Sequence, residues 1–412
     1  MNIAFISYEF PPETGSGGIG TYLVNVVAAL RASNHTAIVI CASKQTEPFW
    51  ENEHTYRFPC PNMDEFNVLV VKYFLRLHET YRFDLIEGTD FKGWGVLIKQ
   101  ELPLMPYVVK LHTPNYLIDL LQFKPLAGWR KWYFIISCLV HGKKLELKSG
   151  PSLEDYREEL LALRLADRIA APTFAIAYKL HSLRLLNESK PVDYVPYPIP
   201  IAPDTLKINP RTTLHQPQIV FIGRHEIRKG VIELAQAIPL VLKKYPNAHF
   251  TFVGGSSFSP DHKLNMIDFL TKKLYKYQRS ITFTEAIEPS LVKDFLDLGD
   301  IFVFPSHYES FGMVCAEAMA AGKAVIGSVN GGMAEILQFG DCVLLVDANK
   351  QQIFAAIDQL LTNSTLRIRL GEKARSSILA NYNERAILSL QLQSYEAAIS
   401  CCANPKSEAI ND

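Results

Sequence analysis

Short apolar runs alternate with longer stretches of helical periodicity along most of the 412 residues, the pattern of parallel βαβ units. In the first half the runs are Ile3 to Ser7, Ala37 to Cys41, Leu85 to Glu87, Tyr107 to Leu111 and Arg168 to Ala171. Between the first two, Leu23, Val26, Val27 and Leu30 recur at i, i+3, i+4, i+7, which predicts a helix with one buried face. A proline-rich stretch, Val195-Pro196-Tyr197-Pro198-Ile199-Pro200, then breaks the alternation, and Pro203, Pro210 and Pro217 extend it. Proline has no N–H for a ladder and resists helix, so this stretch reads as an interdomain linker. The alternation resumes at Gln218 and continues through His249 to Val253, Ile281 to Thr284, Ile301 to Phe304, Ala324 to Ile326 and Val343 to Val346.

Two successive α/β halves are therefore expected, residues 1–200 and 201–383, with a cleft between them. The last helical stretch, about 384–400, is expected to pack back onto the first half. Ligands of such sheets sit beyond the carboxyl ends of the strands, so chemistry is sought there.

Composition narrows the class. The chain is 48% hydrophobic and 20% charged, ordinary for a globular protein. Lys+Arg and Asp+Glu are both 42, so there is no basic surplus of the kind a nucleic-acid partner requires. Seven cysteines without a CxxC spacing read as buried or incidental thiols in a reducing compartment. No basic region precedes the first apolar residues, and no apolar run approaches the ~20 residues of a spanning helix. A cytoplasmic protein is expected, at most peripheral at the inner face of a membrane. The segment 117–148 is aromatic and basic, with Trp129, Arg130, Lys131, Trp132, Lys143, Lys144 and Lys148. It reads either as a membrane-docking element or as a helical insertion with an aromatic core.

Candidate chemistry lies at the strand ends. A glycine-rich loop, Gly15-Ser16-Gly17-Gly18-Ile19-Gly20, joins the first strand to the first helix, where free N–H groups and the dipole favour an anion. The first strand of the second half ends Phe221-Ile222-Gly223-Arg224, with Lys229-Gly230 at the next helix start; two cations there suit a diphosphate. The most specific array follows Ile301 to Phe304. Glu309 sits in the turn, and Gly312 opens a helix whose start leaves the N–H groups of Phe311, Gly312 and Met313 for a phosphate. Glu317 lies inside that helix and Gly322 ends it. Carboxylates suit sugar and ribose hydroxyls, because each accepts several hydrogen bonds.

The pattern Glu309-x7-Glu317 within ESFGMVCAEAMAAGKAVI resembles the signature of the retaining GT-B glycosyltransferases of family four, the glycosyl transferases group 1. The GGIGTY loop, the KLH strand end, FIGRHEIRKG, FVGG and NGGMAEI appear in the matching order, so the resemblance spans essentially the whole chain. It implies an α/β GT-B fold, two Rossmann-like domains facing each other across a cleft. It also implies transfer of a hexosyl-type sugar from a nucleotide-sugar donor, UDP- or GDP-linked, to a saccharide, lipid-linked or small-molecule acceptor in polysaccharide or glycoconjugate synthesis. Retention of configuration without metal or cofactor is implied, as are the site residues. Arg224 and Lys229 would bind the diphosphate, helped by backbone donors at Gly17, Gly18, Gly312 and Met313. Glu317 would hold the ribose, and Glu309 and His112 would face the transferred sugar.

Two departures stand out. Glu285-Ala286 replaces a common glycine beside the base pocket, leaving the nucleotide open. Tyr197-Pro198-Ile199 replaces an Asn-Gly turn, a change expected to be without consequence. Two other readings are an epimerase acting on sugar nucleotides and a non-catalytic subunit that binds them; the paired glutamates argue against the first.

Overall fold

The computed structural model describes residues 1–15, 17–123, 132, 136, 150–199, 212–260, 262–288, 291–338 and 342–403. In the first domain the strands are β1 (Asn2–Ser7), β2 (Thr36–Ser43), β3 (Phe49–Asn52), β4 (Thr55–Pro59), β5 (Leu85–Thr89), β6 (Tyr107–Lys110), β7 (Arg168–Ala171) and β8 (Val192–Tyr194). They form one sheet in the order β3-β4-β2-β1-β5-β6-β7-β8, parallel except for the β3–β4 pair. The second sheet holds β9 (Gln218–Ile222), β10 (His249–Val253), β11 (Ile281–Thr284), β12 (Ile301–Phe304), β13 (Ala324–Ser328) and β14 (Leu344–Val346). Its order is β11-β10-β9-β12-β13-β14, parallel throughout. The architecture is α/β with two parallel Rossmann-like halves.

The central strands are covered on both faces, which is why they read as unbroken apolar runs and not as alternating ones. Ile3, Ala4 and Phe5 of β1 and Ile301, Phe302 and Val303 of β12 are all fully buried. Where burial depends on neighbours instead, the apolar pattern falls silent. Strand β4 carries Thr55 and Arg57, both buried, and is not legible as a core strand. Val195, Tyr197 and Ile199 are buried in the first domain, so the proline-rich stretch is packed structure up to Ile199; residues 200–211 lie outside the described residues.

The C-terminal helix, Glu384–Ala403, lies against the first domain. Tyr395 donates to Glu87 Oε2 at 2.7 Å and Gln391 Nε2 donates to the same atom at 2.8 Å. Tyr22 of the first helix, Gly18–Ala32, donates to Glu87 Oε1 at 2.8 Å. Among the described residues no helix is long and apolar enough to cross a membrane. Of the aromatic and basic segment 117–148, residues 124–148 lie outside the described residues except for Trp132 and Ile136, which are exposed.

Candidate active site in the interdomain cleft

A cleft of about 990 Å³ opens between the two domains. Its first-domain wall includes Gly17 and Gly18, from the loop after β1, and His112, from the end of β6. The facing wall carries Arg224 and Lys229, after β9, with Glu309, Phe311, Gly312, Met313 and Glu317, after β12. All ten residues singled out from the sequence thus border one space. The reason is topological. In each sheet the strand order reverses beside the first strand, at β1/β5 and β9/β12, and the loops diverge there to leave a crevice.

On the second-domain wall, Gly312 is the N-cap of the helix Met313–Ala320 at φ +95°, a left-handed conformation that glycine adopts without steric cost. The helix start lines the cleft, where the free N–H groups of a first turn suit an anion. Beside it Lys229 donates a hydrogen bond to Glu309 Oε2, and Arg228 Nη1 lies 3.7 Å from the same atom. Burial disfavours charge on Glu309, but the two cations outweigh it and hold its carboxyl below the usual range. Glu309 is therefore a fixed anion. Glu317 differs: its carboxyl has no hydrogen-bond partner among the described residues, and burial pushes it up to about 7. Arg224 is exposed in the cleft and makes no ion pair within 4.0 Å among the described residues, so its guanidinium is available to a ligand.

Across the cleft, His112 is held from both sides. Its N–H donates to Asp90 Oδ1 at 2.7 Å. The Tyr197 hydroxyl donates to the Leu111 carbonyl at 2.6 Å and lies 2.8 Å from His112 Nδ1. With its hydrogen given to Leu111, the hydroxyl accepts from Nδ1–H. Nε2 is left as a buried lone pair with no partner among the described residues. Burial, reinforced by Lys110, keeps this imidazole neutral, far below its usual range. From the turn after β5, Phe91 lines the cleft, while Asp90, Lys92, Gly93 and Gly95 do not. Asp90 is instead fully buried as the anchor of His112, and burial pushes it up to about 8.

Four residues escaped sequence reading. Arg228 lies in the helical turn before Lys229; it binds the Tyr308 carbonyl at 2.9 Å and Glu226 at 2.6 Å, and so fixes the turn that carries Glu309. Its place inside FIGRHEIRKG was the available signal. Tyr197 was assigned to a linker, and only the fold brings it under His112. Glu9, after β1, lines the cleft beneath Gly15 and Gly17, with its carboxyl pushed up by burial while Arg224 opposes. Arg57 lies buried under the same loop and donates to the carbonyls of Phe10 at 3.3 Å, Pro11 at 2.9 Å and Ala42 at 3.2 Å. A lone arginine in a strand gives no such signal.

A parallel-sheet pair enclosing cations, a helix N-terminus and two glutamates defines a glycosyltransferase of GT-B architecture. Residues 17–198 match the family described as glycosyl transferase 4-like domain, and 205–377 match glycosyl transferases group 1. The chain belongs to the group 1 glycosyltransferases of family four. Spore coat protein SA of Bacillus subtilis is 29% identical over 187 residues, an alignment covering 44% of this chain and 50% of that protein. Glycogen synthase of Mycobacterium tuberculosis is 23% identical over 440 aligned positions, covering 97% of this chain and 95% of that one. Among solved structures, sucrose-phosphate synthase from Thermosynechococcus elongatus superposes with a TM-score of 0.71 at 20% identity, covering 97% of this chain and 99% of that one. Anabaena HepE in complex with UDP and glucose gives a TM-score of 0.66 at 16% identity, covering 96% and 99%.

Proposed function

We propose that the protein transfers a hexosyl-type sugar from a nucleoside diphosphate donor to a saccharide, lipid-linked or small-molecule acceptor, with retention of configuration and without a metal. The observation that carries this reading is the second-domain wall: Arg224, with no ion pair among the described residues, the Lys229–Glu309 pair and the Gly312–Met313 helix start line the same cleft. There the diphosphate meets Arg224, Lys229 and the N–H groups of Gly312 and Met313, with Gly17 and Gly18 closing from the other wall. These donors are preorganised for the charge that develops on the leaving phosphate. Lys229 bridges that phosphate and Glu309, whose anion faces the sugar as positive charge grows on its anomeric carbon. Glu317 holds the ribose hydroxyls. His112 borders the transferred sugar from the first-domain wall.

The bond from anomeric carbon to phosphate oxygen breaks as the acceptor oxygen bonds on the same face. The departing phosphate takes the acceptor proton, so no protein base is required. HepE, in complex with UDP and glucose, supports testing UDP-glucose first.

The test is a panel of UDP-, GDP- and ADP-sugars without acceptor or metal, read by thermal shift and slow hydrolysis in wild type, Arg224→Ala and Glu309→Ala. One donor should stabilise selectively, with hydrolysis lost in both variants. No shift from any nucleotide overturns the reading.

A further inference from the structure

We propose that Glu335 is a positioning residue that docks the two domains and sets the backbone of Glu309 against His112. Glu335 belongs to the second domain, on the helix Gly332–Gln338. Its carboxylate crosses the domain boundary: Oε2 accepts from Phe174 N at 2.8 Å, and Oε1 accepts from Ala175 N. Those amides open the first-domain helix Phe174–Ser182. A helix start leaves its first N–H groups without internal partners, and the residue at the N-cap usually supplies one from its own side chain. Here the N-cap is Thr173, and its hydroxyl is directed elsewhere, to the Ser310 carbonyl at 2.7 Å. The first domain thus lacks its own cap at this helix, and the second domain provides it. A carboxylate is the favoured group, because it accepts two bonds and carries the charge the helix dipole prefers.

The same short helix grips the catalytic turn. Gly332 N donates to the Glu309 carbonyl at 2.7 Å, and Gly331 pairs with Glu309 as an isolated bridge. One residue on, the Ser310 hydroxyl donates to the His112 carbonyl and accepts from Thr113 Oγ1 at 2.8 Å. Glu335, Gly332, Glu309, Ser310 and His112 therefore form one continuous chain of contacts across the boundary. Of the nucleotide donors named above, Arg224, Lys229, Gly312 and Met313 lie on the second domain and outside this chain, and only Gly17 and Gly18 reach over from the first domain. Loss of the cap should accordingly impair turnover and domain docking while sparing nucleotide affinity.

The experiment compares wild type with Glu335→Ala, Glu335→Gln and Phe174→Pro. Proline is tolerated at the first helical position and suits the extended Thr173 (φ −147°, ψ 155°), so Phe174→Pro removes one donor without altering Glu335. Four quantities are read: radius of gyration by X-ray scattering, amide exchange at 174–175, UDP affinity and UDP-glucose hydrolysis. In Glu335→Ala the radius rises, exchange of the Ala175 amide quickens at least tenfold, and hydrolysis falls at least tenfold with the UDP Kd within twofold. Glu335→Gln recovers part of each change, and Phe174→Pro shifts the radius and hydrolysis in the same direction. The proposal is overturned by scattering and hydrolysis that match wild type in both Glu335→Ala and Phe174→Pro. It is equally overturned by UDP affinity falling in step with hydrolysis, which would make Glu335 part of the nucleotide site. The hydrolysis arm rests on the proposed donor chemistry. A wild type that neither binds UDP nor hydrolyses UDP-glucose would defeat that reading, and scattering and exchange would still decide the docking role.

Discussion

Glu309 and Glu317 are the same side chain eight residues apart, yet their surroundings set them to different tasks. Glu309 is pinned by Lys229 and Arg228 and stays ionised. Replacing it by Gln should lower donor hydrolysis by about 10²-fold, the scale of one preorganised electrostatic partner. UDP affinity should hold or improve, because Lys229 is released toward the phosphate; titration calorimetry beside a hydrolysis assay separates the two. Glu317 is raised to about 7 by burial alone. If its carboxylate form holds the ribose, binding must drive off a proton below that pH. UDP affinity should then rise from pH 5.5 to about 7.5 and level off, with Glu317→Gln weaker and flatter across the range. An affinity that falls over the same interval would remove Glu317 from the ribose site. Both glutamates were legible as a pair. Their opposite electrostatics were not, because Lys229 and Arg228 reach Glu309 from a turn 80 residues earlier in the chain.

Among the elements, short turns and not the long helices position the cleft. The turn 309–312 and the helix Gly332–Gln338 approach the first domain so closely that position 332 has no room for a side chain. A Cβ on Gly332 would lie 2.0 Å from the Ser310 carbonyl and 2.3 Å from Thr173 Oγ1. Gly332→Ala should therefore cost about 1–3 kcal/mol by overpacking and lower the melting temperature. The clash sits at the domain boundary, so hydrolysis should fall with it; a melting point unchanged in calorimetry would show that the turn has room to spare. The elements invisible to periodicity share one property. Strand β4 and the stretch 195–199 are buried by tertiary neighbours, and their own residues do not alternate in a way that announces it.

For the whole molecule, the return of the chain matters as much as the two sheets. The C-terminal helix completes a buried cluster around Glu87, in which Tyr22, Tyr395 and Gln391 supply the donors. Lys110 stands nearby, its amine over the Tyr22 ring at 5.0 Å and the Tyr197 ring at 5.3 Å, and burial lowers it to about 7. The cluster therefore joins the C-terminal helix to the ring that supports His112. Tyr395→Phe leaves the Glu87 carboxyl one donor short, at a cost of about 1.5–3 kcal/mol. Chemical denaturation should show that loss. Donor hydrolysis should fall less than twofold in the folded fraction, since no atom of Tyr395 borders the cleft.

Sequence alone determined the α/β class, the family, and the strand ends where Arg224, Lys229, Glu309 and Glu317 stand. Those properties reside in local order: apolar runs, glycines at turns, and carboxylates at fixed spacing across one turn and the helix that follows it. The tertiary structure decided which charges neutralise one another, which residue supports His112, and how the domains meet. Tyr197 became the partner of a histidine 85 residues away, and Glu335 the cap of a helix 160 residues earlier. Such roles depend on where distant segments converge once both sheets are built. A lone tyrosine in a proline-rich stretch, or a glutamate on a seven-residue helix, carries no local mark of its partner.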